Sequence, residues 1–342
     1  MEGQVLLSIL ITSHNQGALL GRCVDSVLAQ PLPFGFEIVI SDDSSDDGTW
    51  ELAQEYADRF PQIRSIRCDT DDYHPVNRCQ RCGWNQCNAY NYSRGKYFIH
   101  IDADDFFCSG TEVLRKQVEL LELHPECSCC MADNFILKDG EEFSNAIVAH
   151  PNTFQTGEIL SSEKLVAGYW RSDHDYVYRK QLSEDVTKMY GGYYDDTLIT
   201  FHNLQFGDAI CLDEVGYVYV QYESSIWNEM KSQLNDVVLG CPILYIPVLI
   251  PRWKKVMLRS DSHLRKLQSV IEWMLSGGRL EDGNYAYLDG LPKKSRLIRT
   301  MNRKLRVADK LYLSLLRLDL KLLKHVSFEP LFWLLFILMK EK

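Results

Sequence analysis

No apolar run in this sequence is long enough to cross a bilayer. The run Leu331 to Met339 has nine residues, and a spanning helix needs about 20. No positively charged segment precedes the first apolar run, Val5 to Ile11, and Glu2 stands where a secretory leader would be basic, so no secretory signal is expected. Basic residues are scarce over residues 1–250, with 17 Lys and Arg against 38 Asp and Glu. That balance repels nucleic-acid phosphates, no recognition module is visible, and nucleic acid is not an expected partner. Residues 12–22 lack the glycine-rich loop and basic residue that a sugar-1-phosphate nucleotidyltransferase would use for a triphosphate. Internal repeats and low-complexity tracts are also missing.

What is present is an ordinary globular composition, 46% hydrophobic and 25% charged over 342 residues, with a net charge of -10. The charge reverses along the chain, since residues 251–342 hold 20 basic and 9 acidic side chains. This divides the chain into an acidic part and a basic extension, with an anionic partner expected for the extension. Eleven cysteines without a secretory signal point to free thiols in a cytosolic protein.

The acidic part alternates strands with helices. Val5 to Ile11 reads as a buried strand running into Thr12-Ser13-His14-Asn15. A helical stretch, Ala18 to Gln30, stops at Pro31 and Pro33. The strand Glu37 to Ile40 ends in Ser41-Asp42-Asp43-Ser44-Ser45-Asp46-Asp47-Gly48, and a helix from Thr49 to about Phe60 follows. Strands at Ile63 to Arg67 and Lys96 to Ile101 come next, the latter ending in Asp102-Ala103-Asp104-Asp105. Further on, Thr111 to His124 reads as helix, Cys127 to Leu137 as strand, Thr197 to Phe206 as helix and Val215 to Gln221 as strand. The pattern predicts an α/β fold, an open and mostly parallel sheet flanked by helices, whose ligand crevice lies at the carboxyl ends of the strands.

Three of those ends carry polar or acidic residues. Asp102 and Asp104 share one face of extended backbone, and two carboxylates so placed repel unless a cation lies between them. Mn²⁺ or Mg²⁺ would favour such oxygen ligands; a solvated loop with helix-capping aspartates would also use them. The Asp42, Asp43, Asp46, Asp47 cluster suits a turn as well, with Asp46 as a cap for the helix at Thr49.

The order of the three motifs distinguishes these readings. Ser8 to Asn15, Ile38 to Thr49 and Gly95 to Asp105 resemble the successive N-terminal signatures of the family 2 glycosyltransferases, which have the Rossmann-like GT-A fold. The resemblance covers residues 5–110, extends less closely over 185–228 and is absent from 251 onward. It implies that Thr12, His14, Asn15 and Asp43 hold the nucleobase and ribose of a UDP-sugar, with Asp43 accepting the base N3–H. It also implies that Asp102 and Ala103 lie by the ribose, and that Asp102, Asp104 and Asp105 hold Mn²⁺ or Mg²⁺ on the diphosphate. Arg78 or Arg81 would contact the diphosphate. Gly191-Gly-Tyr-Tyr-Asp-Asp196 is similar to the family's acidic pair, with Asp195 in the place of the usual Glu and Asp196 as general base for an inverting displacement. Glu223 to Trp227 resembles the loop that covers the donor, which adds Ser224 and Ser225.

Two stretches fall outside the family pattern. Cys79 and Cys82, with Cys68, His74 and Cys87 nearby, offer half of a structural Zn²⁺ site, although no second C-x2-C follows and buried thiols are the commoner outcome. Cys127, Cys129 and Cys130 read as packing. Arg296 to Val326 has the spacing of a basic amphipathic helix, which can lie on an anionic membrane surface or pack its Leu face on protein.

The resulting expectation is a catalytic domain over 1–235, with a nucleotide-sugar half at 1–110 and an acceptor half at 111–235. A basic, largely helical region at 236–342 would touch the membrane. Such an enzyme would move a hexose or N-acetylhexosamine from a UDP-sugar to a lipid-linked glycan of surface polysaccharide, O-antigen or capsule, at the inner face of the cytoplasmic membrane. Oligomerisation is left open. The alternatives are a non-catalytic nucleotide-sugar-binding protein and a nucleotidyltransferase.

Overall fold

The first apolar run forms β1 (Leu7–Ser13), buried at every position. It is flanked by β2 (Phe36–Asp42) and β4 (Tyr97–Asp102), both parallel to it. A parallel strand buried on both faces is apolar throughout rather than alternating, and Leu7, Ile9, Leu10 and Ile11 meet that need with no exposed surface. The computed structural model describes residues 4–69, 78–150, 155–169, 175–181, 186–189, 195–223, 225, 246 and 250–260.

Helices connect these strands. In α1 (Gly17–Leu28) the buried residues Leu20, Cys23, Val24 and Val27 fall three and four apart, one face of a helix. α2 (Thr49–Arg59) follows β2, and β3 (Ile63–Arg67) adds to the outer edge of β2. α3 (Arg78–Tyr92) precedes β4, and α4 (Val113–Leu123) buries Val113, Leu114, Gln117, Val118 and Leu121.

The remaining strands are β5 (Phe106–Phe107), β6 (Cys127–Lys138), β7 (Ile147–Val148), β8 (Ile159–Leu160), β9 (Tyr176–Arg179) and β10 (Asp208–Gln221). The sheet runs β3-β2-β1-β4-β9-β6-β10-β5, with β7 on β6 and β8 on β10. β9 is antiparallel to both β4 and β6, and β10 is parallel to β6. The six longer strands β3, β2, β1, β4, β6 and β10 therefore share one direction, the mostly parallel α/β sheet that the alternation predicts.

β10 begins seven residues before the expected Val215. Asp213 and Glu214 break its alternation, and the strand absorbs them through register shifts between Cys211 and Val215 and between Val215 and Tyr217. Cys127, Cys129 and Cys130 are buried in β6, as expected of packing residues.

Described residues within Met1–Pro75, Gln80–Ser162 and Arg171–Asn228 form one compact unit, which contains the sheet; those within Val76–Cys79, Glu163–Trp170 and Glu229–Lys342 form a second. The expected helix at Arg296 to Val326 and the run at 331–339 lie outside the described residues. Among the described residues, no helix is long and apolar enough to cross a membrane.

One buried charge ties β1 to β2 and to the entry of β4. Glu37, 1% exposed, accepts from the Ser8 hydroxyl at 2.7 Å, the Arg94 amide at 2.6 Å, Arg94 Nε at 2.9 Å and Arg64 Nη2 at 3.1 Å. Ser8 Oγ in turn accepts from the Gly95 amide at 2.8 Å, an approach so close that a Cβ on Gly95 would sit 2.7 Å from the Ser8 nitrogen. Burial alone would raise the Glu37 carboxyl, but the Ser8 hydroxyl, the Arg94 amide and the two guanidinium groups outweigh it and hold it below the ordinary glutamate value.

Glu37→Gln is therefore expected to cost about 1–3 kcal/mol at neutral pH, toward the lower end because both arginines are partly solvated. A depressed folded-state value stabilises above the unfolded value and is lost as pH falls through the folded one. Thermal unfolding should show the wild-type advantage in full at pH 7 and narrowing as pH drops through the acid range.

Candidate active site

Parallel pairing brings three strand ends to one edge. Thr12 of β1 lies opposite Ser41 of β2 on one side and Asp102 of β4 on the other, and Ser13 lies opposite Asp42. Thr12 Oγ1 donates to Asp102 Oδ1 at 3.1 Å, so the two expected nucleotide contacts meet directly.

The loops beyond β1 and β2 are knitted together. Fully buried Asp42 accepts from the Ser45 amide at 3.1 Å, Ser45 Oγ at 2.5 Å and Ser13 Oγ at 3.4 Å. Asn15, in the left-handed region at φ 54°, donates its amide to Ser45 Oγ at 2.9 Å and accepts the Asp46 amide at 3.0 Å. The exposed His14 ring sits with Nδ1 2.6 Å from the Asp43 carbonyl oxygen; only an N–H can donate to a carbonyl, which fixes the proton on Nδ1.

Asp46 does not cap α2, whose N-cap is Gly48. Gly48 turns the chain with φ 93°, and the Asp47 carboxylate accepts from the Thr49 amide and hydroxyl and from the Gly17 amide, bracketing the starts of α1 and α2. Asp46 is one residue too early, and its own amide is taken by Asn15.

Asp43 is 2% exposed, and Arg81 of α3 grips it with two parallel bonds, Nε to Oδ2 at 3.0 Å and Nη2 to Oδ1 at 3.1 Å. A planar guanidinium matches a carboxylate in this bidentate way. Arg81, expected at a diphosphate, here holds the Asp43 carboxylate. Arg78 is the first residue of α3, and its side chain lies outside the described residues.

At the end of β4 the carboxylate oxygens of Asp102, Asp104 and Asp105 lie within 4.8 Å of one another. Among the described residues this is the one group of three or more His, Cys, Asp or Glu side chains able to share an ion. Hard oxygen donors suit Mg²⁺ or Mn²⁺. Arg22 of α1 donates to the Asp104 carbonyl at 2.5 Å and lies 4.5 Å above the Phe106 ring, bracing the turn without taking a carboxylate. Cys23, buried beneath, has its thiol pushed well up by burial and then by Asp105, Asp104 and Asp102. Of the zinc candidates, Cys68 and Cys87 are buried and Cys82 is half-buried; the Cys79 side chain and His74 lie outside the described residues.

The acidic pair heads a helix, Asp196–Asn203. Asp195 is its N-cap and accepts the Leu198 amide on Oδ1 at 2.7 Å; half-buried Asp196 is the first helical residue. Half-buried Tyr219 stands on β10. Its hydroxyl is pushed up by burial, then by Asp105, Asp102, Asp104 and Asp196, so one side chain feels all four carboxylates. Sequence reasoning missed Tyr219 and Tyr217; their signal is the two-residue spacing on a strand whose far end was already assigned to the site. Gly191 to Tyr194 and Ser224 lie outside the described residues, and the Ser225 amide donates to the Tyr222 carbonyl at 3.1 Å.

Comparison with known proteins agrees with this geometry. Residues 8–169 match the family described as "Glycosyl transferase family 2". That stretch, just under half of the 342 residues, holds β1 from Ser8 onward and β2 to β8, together with Thr12, Asp43 and the Asp102–Asp105 turn, and it resembles that family. An uncharacterized protein of Mycobacterium tuberculosis is 29% identical to this chain over 225 residues, 65% of this chain and 60% of that protein. The chain thus spans less than two thirds of that relative's length. The Escherichia coli UDP-Glc:alpha-D-GlcNAc-diphosphoundecaprenol beta-1,3-glucosyltransferase WfaP is 28% identical over 117 residues, 34% of this chain and 41% of WfaP. Among solved structures, residues 1–349 of S. aureus TarS superpose with a TM-score of 0.51 at 14% identity, covering 87% of this chain and 79% of that one. TarS has also been crystallised with UDP-GlcNAc, a structure with a TM-score of 0.50. The shared fold is GT-A.

The Asp195 cap and the neighbouring Asp196 carboxylate are separable. Asp195→Ala should cost about 1 kcal/mol of stability, and Asp195→Ser should restore it. The check is denaturant unfolding alongside a transfer assay, and a transfer defect that Ser leaves unrepaired would mark a chemical role for Asp195 beyond capping.

Proposed function

We propose that the protein is an inverting glycosyltransferase that moves a hexose or N-acetylhexosamine from a UDP-sugar to a hydroxyl of a glycan acceptor. The observation that carries this reading is the convergence of Thr12, Asp43 and the Asp102–Asp105 turn at the carboxyl edge of β1, β2 and β4. That edge is where an open parallel sheet receives its ligand.

In this reading Asp43, oriented by Arg81, accepts the uracil N3–H. Thr12, His14 and Asn15 shape the base and ribose pocket, and Asp102 with Ala103 lines the ribose. Asp102 and Asp104 of the 102–105 turn hold a Mn²⁺ or Mg²⁺ ion. When bound, the ion neutralises charge developing on the departing UDP. Asp196 takes the proton of the acceptor hydroxyl as its oxygen attacks the anomeric carbon from the face opposite the leaving group. Asp195 orients Asp196 by capping its helix, Arg78 is a diphosphate contact, and Ser224 and Ser225 belong to the donor-covering loop.

The donor class draws support from TarS, crystallised with UDP-GlcNAc, and from WfaP, whose name specifies UDP-Glc. WfaP's acceptor carries diphosphoundecaprenol, which supports a lipid-linked acceptor in surface polysaccharide assembly. The basic composition of 251–342 fits peripheral contact of a 236–342 region with the inner face of the cytoplasmic membrane, beside a catalytic domain at 1–235.

Asp196→Asn should lower transfer roughly 100-fold or more while leaving UDP-sugar binding near its original strength, and near-normal transfer would reject the base assignment. A thermal-shift screen of UDP-sugars with and without Mn²⁺ identifies the donor. Stabilisation by a UDP-sugar that disappears in Asp104→Ala is the expected result, and equal shifts with and without the ion would count against the metal role. Donor hydrolysis in the wild type separates an enzyme from a protein that only binds nucleotide sugars.

A further inference from the structure

Burial alternates along the segment after β4. Asp102, Asp104 and Phe106 are half-buried, while Ala103, Asp105 and Phe107 are buried. Residues 103 and 104 form a turn closed by the Asp105 amide on the Asp102 carbonyl at 3.0 Å, and beyond it Asp105 enters the protein, where it is 1% exposed while Asp102 and Asp104 stay half-buried. A carboxylate in that position needs hydrogen-bond donors. The Tyr217 hydroxyl donates to Oδ2 at 2.5 Å and the Val220 amide donates to Oδ1 at 2.8 Å. Both donors belong to β10, which pairs with β5 at Tyr217 opposite Phe107 and Val218 opposite Phe106. The Tyr217 ring is itself buried and stands edge-on to Phe107, with centroids 5.3 Å apart. Arg22 braces the same turn through the Asp104 carbonyl, and Thr12 holds the Asp102 carboxylate.

We propose that Asp105 is a positioning residue: clamped by the Tyr217 hydroxyl and the Val220 amide, it anchors the 102–105 turn to β10 so that Asp102 and Asp104 meet the metal ion, and it is not itself a ligand. This rests on the reading of the turn as a metal site. It corrects the three-ligand set that the motif implies, because a carboxylate committed through both oxygens to donors inside the protein has a different task from its half-buried neighbours. Asp105→Asn preserves the clamp, since an amide oxygen still accepts from Val220 and an amide N–H can donate to the Tyr217 oxygen. Tyr217→Phe removes one arm of the clamp without altering the core volume.

The test is titration calorimetry of UDP with the full chain, with and without Mn²⁺, for the wild type, Asp104→Asn, Asp105→Asn and Tyr217→Phe, together with the melting midpoint of each in the absence of metal. Positioning residues behind a metal site typically change affinity by about 10–100-fold. Asp105→Asn should stay within about threefold of wild-type Mn²⁺-dependent affinity, Tyr217→Phe should weaken it roughly tenfold, and Asp104→Asn should lose the Mn²⁺-dependent component. A purely structural role would lower the Tyr217→Phe midpoint and leave its metal dependence untouched, which would overturn the inference. Loss of the Mn²⁺-dependent component in a folded Asp105→Asn would also overturn it, by making Asp105 a ligand. Should Asp105→Asn fail to fold, Tyr217→Phe decides alone. Wild-type metal dependence in Asp104→Asn would reject the metal reading itself, an outcome distinct from failure of the clamp.

Discussion

The parallel register of β1 with β2 and β4 is the constraint on which the site depends. Because Thr12 is paired with Ser41 and Asp102 at once, the chain leaves the sheet at three adjacent points on one edge. The residues just past those points, Asn15, Asp43 and Asp104, then lie along that edge of the sheet. Burying Leu7, Ile9 and Ile11 among the strands and helices enforces the register, since a one-residue slip would turn every side chain to the opposite face. Packing of ordinary aliphatic residues in this way sets the positions of the polar ones.

Crowding carboxylates at one edge carries an electrostatic cost, and the structure offsets it locally with different donors for each group. Asp42 is satisfied by the serines of its own loop, Asp43 by Arg81, Asp47 by helix-start amides and Asp105 by Tyr217 and Val220. Asp102 accepts from Thr12, while Asp104 is half-buried on the open side of the turn. The acidic surplus of the first 250 residues is therefore divided between carboxylates that hold loops together and half-buried ones, Asp102, Asp104 and Asp196, at the strand edge and the following helix. The positive surplus beyond residue 250 is a separate property of the chain.

Much of the sheet was legible because its strands are short apolar runs closed by prolines and polar loops; β3 falls at Ile63–Arg67 as expected. The extended backbone expected through Asp104 instead ends at Asp102, where a turn closed by the Asp105 amide on the Asp102 carbonyl begins. Partnerships between distant residues were not legible. Arg81 and Asp43 are 38 positions apart, and Tyr217 and Asp105 are 112 apart. No local pattern says which basic or aromatic residue will face which acid. Asp46 loses its expected role for a smaller reason: left-handed Gly48 is the N-cap of α2, and the adjacent Asp47 meets the Thr49 amide. β10 hid its first half because Asp213 and Glu214 interrupt an alternation that a bulge can tolerate.

The central claim is that the three strand ends form one metal-assisted nucleotide site. Anomalous diffraction at the manganese edge from crystals grown with UDP and Mn²⁺ tests it most directly. The account predicts a single strong peak bonded to Asp104 with Asp102 alongside, the uracil against Asp43 and Thr12, and Asp105 still held by Tyr217. A nucleotide bound away from the ends of β1, β2 and β4, or a manganese peak with no ligand from the 102–105 turn, would contradict it.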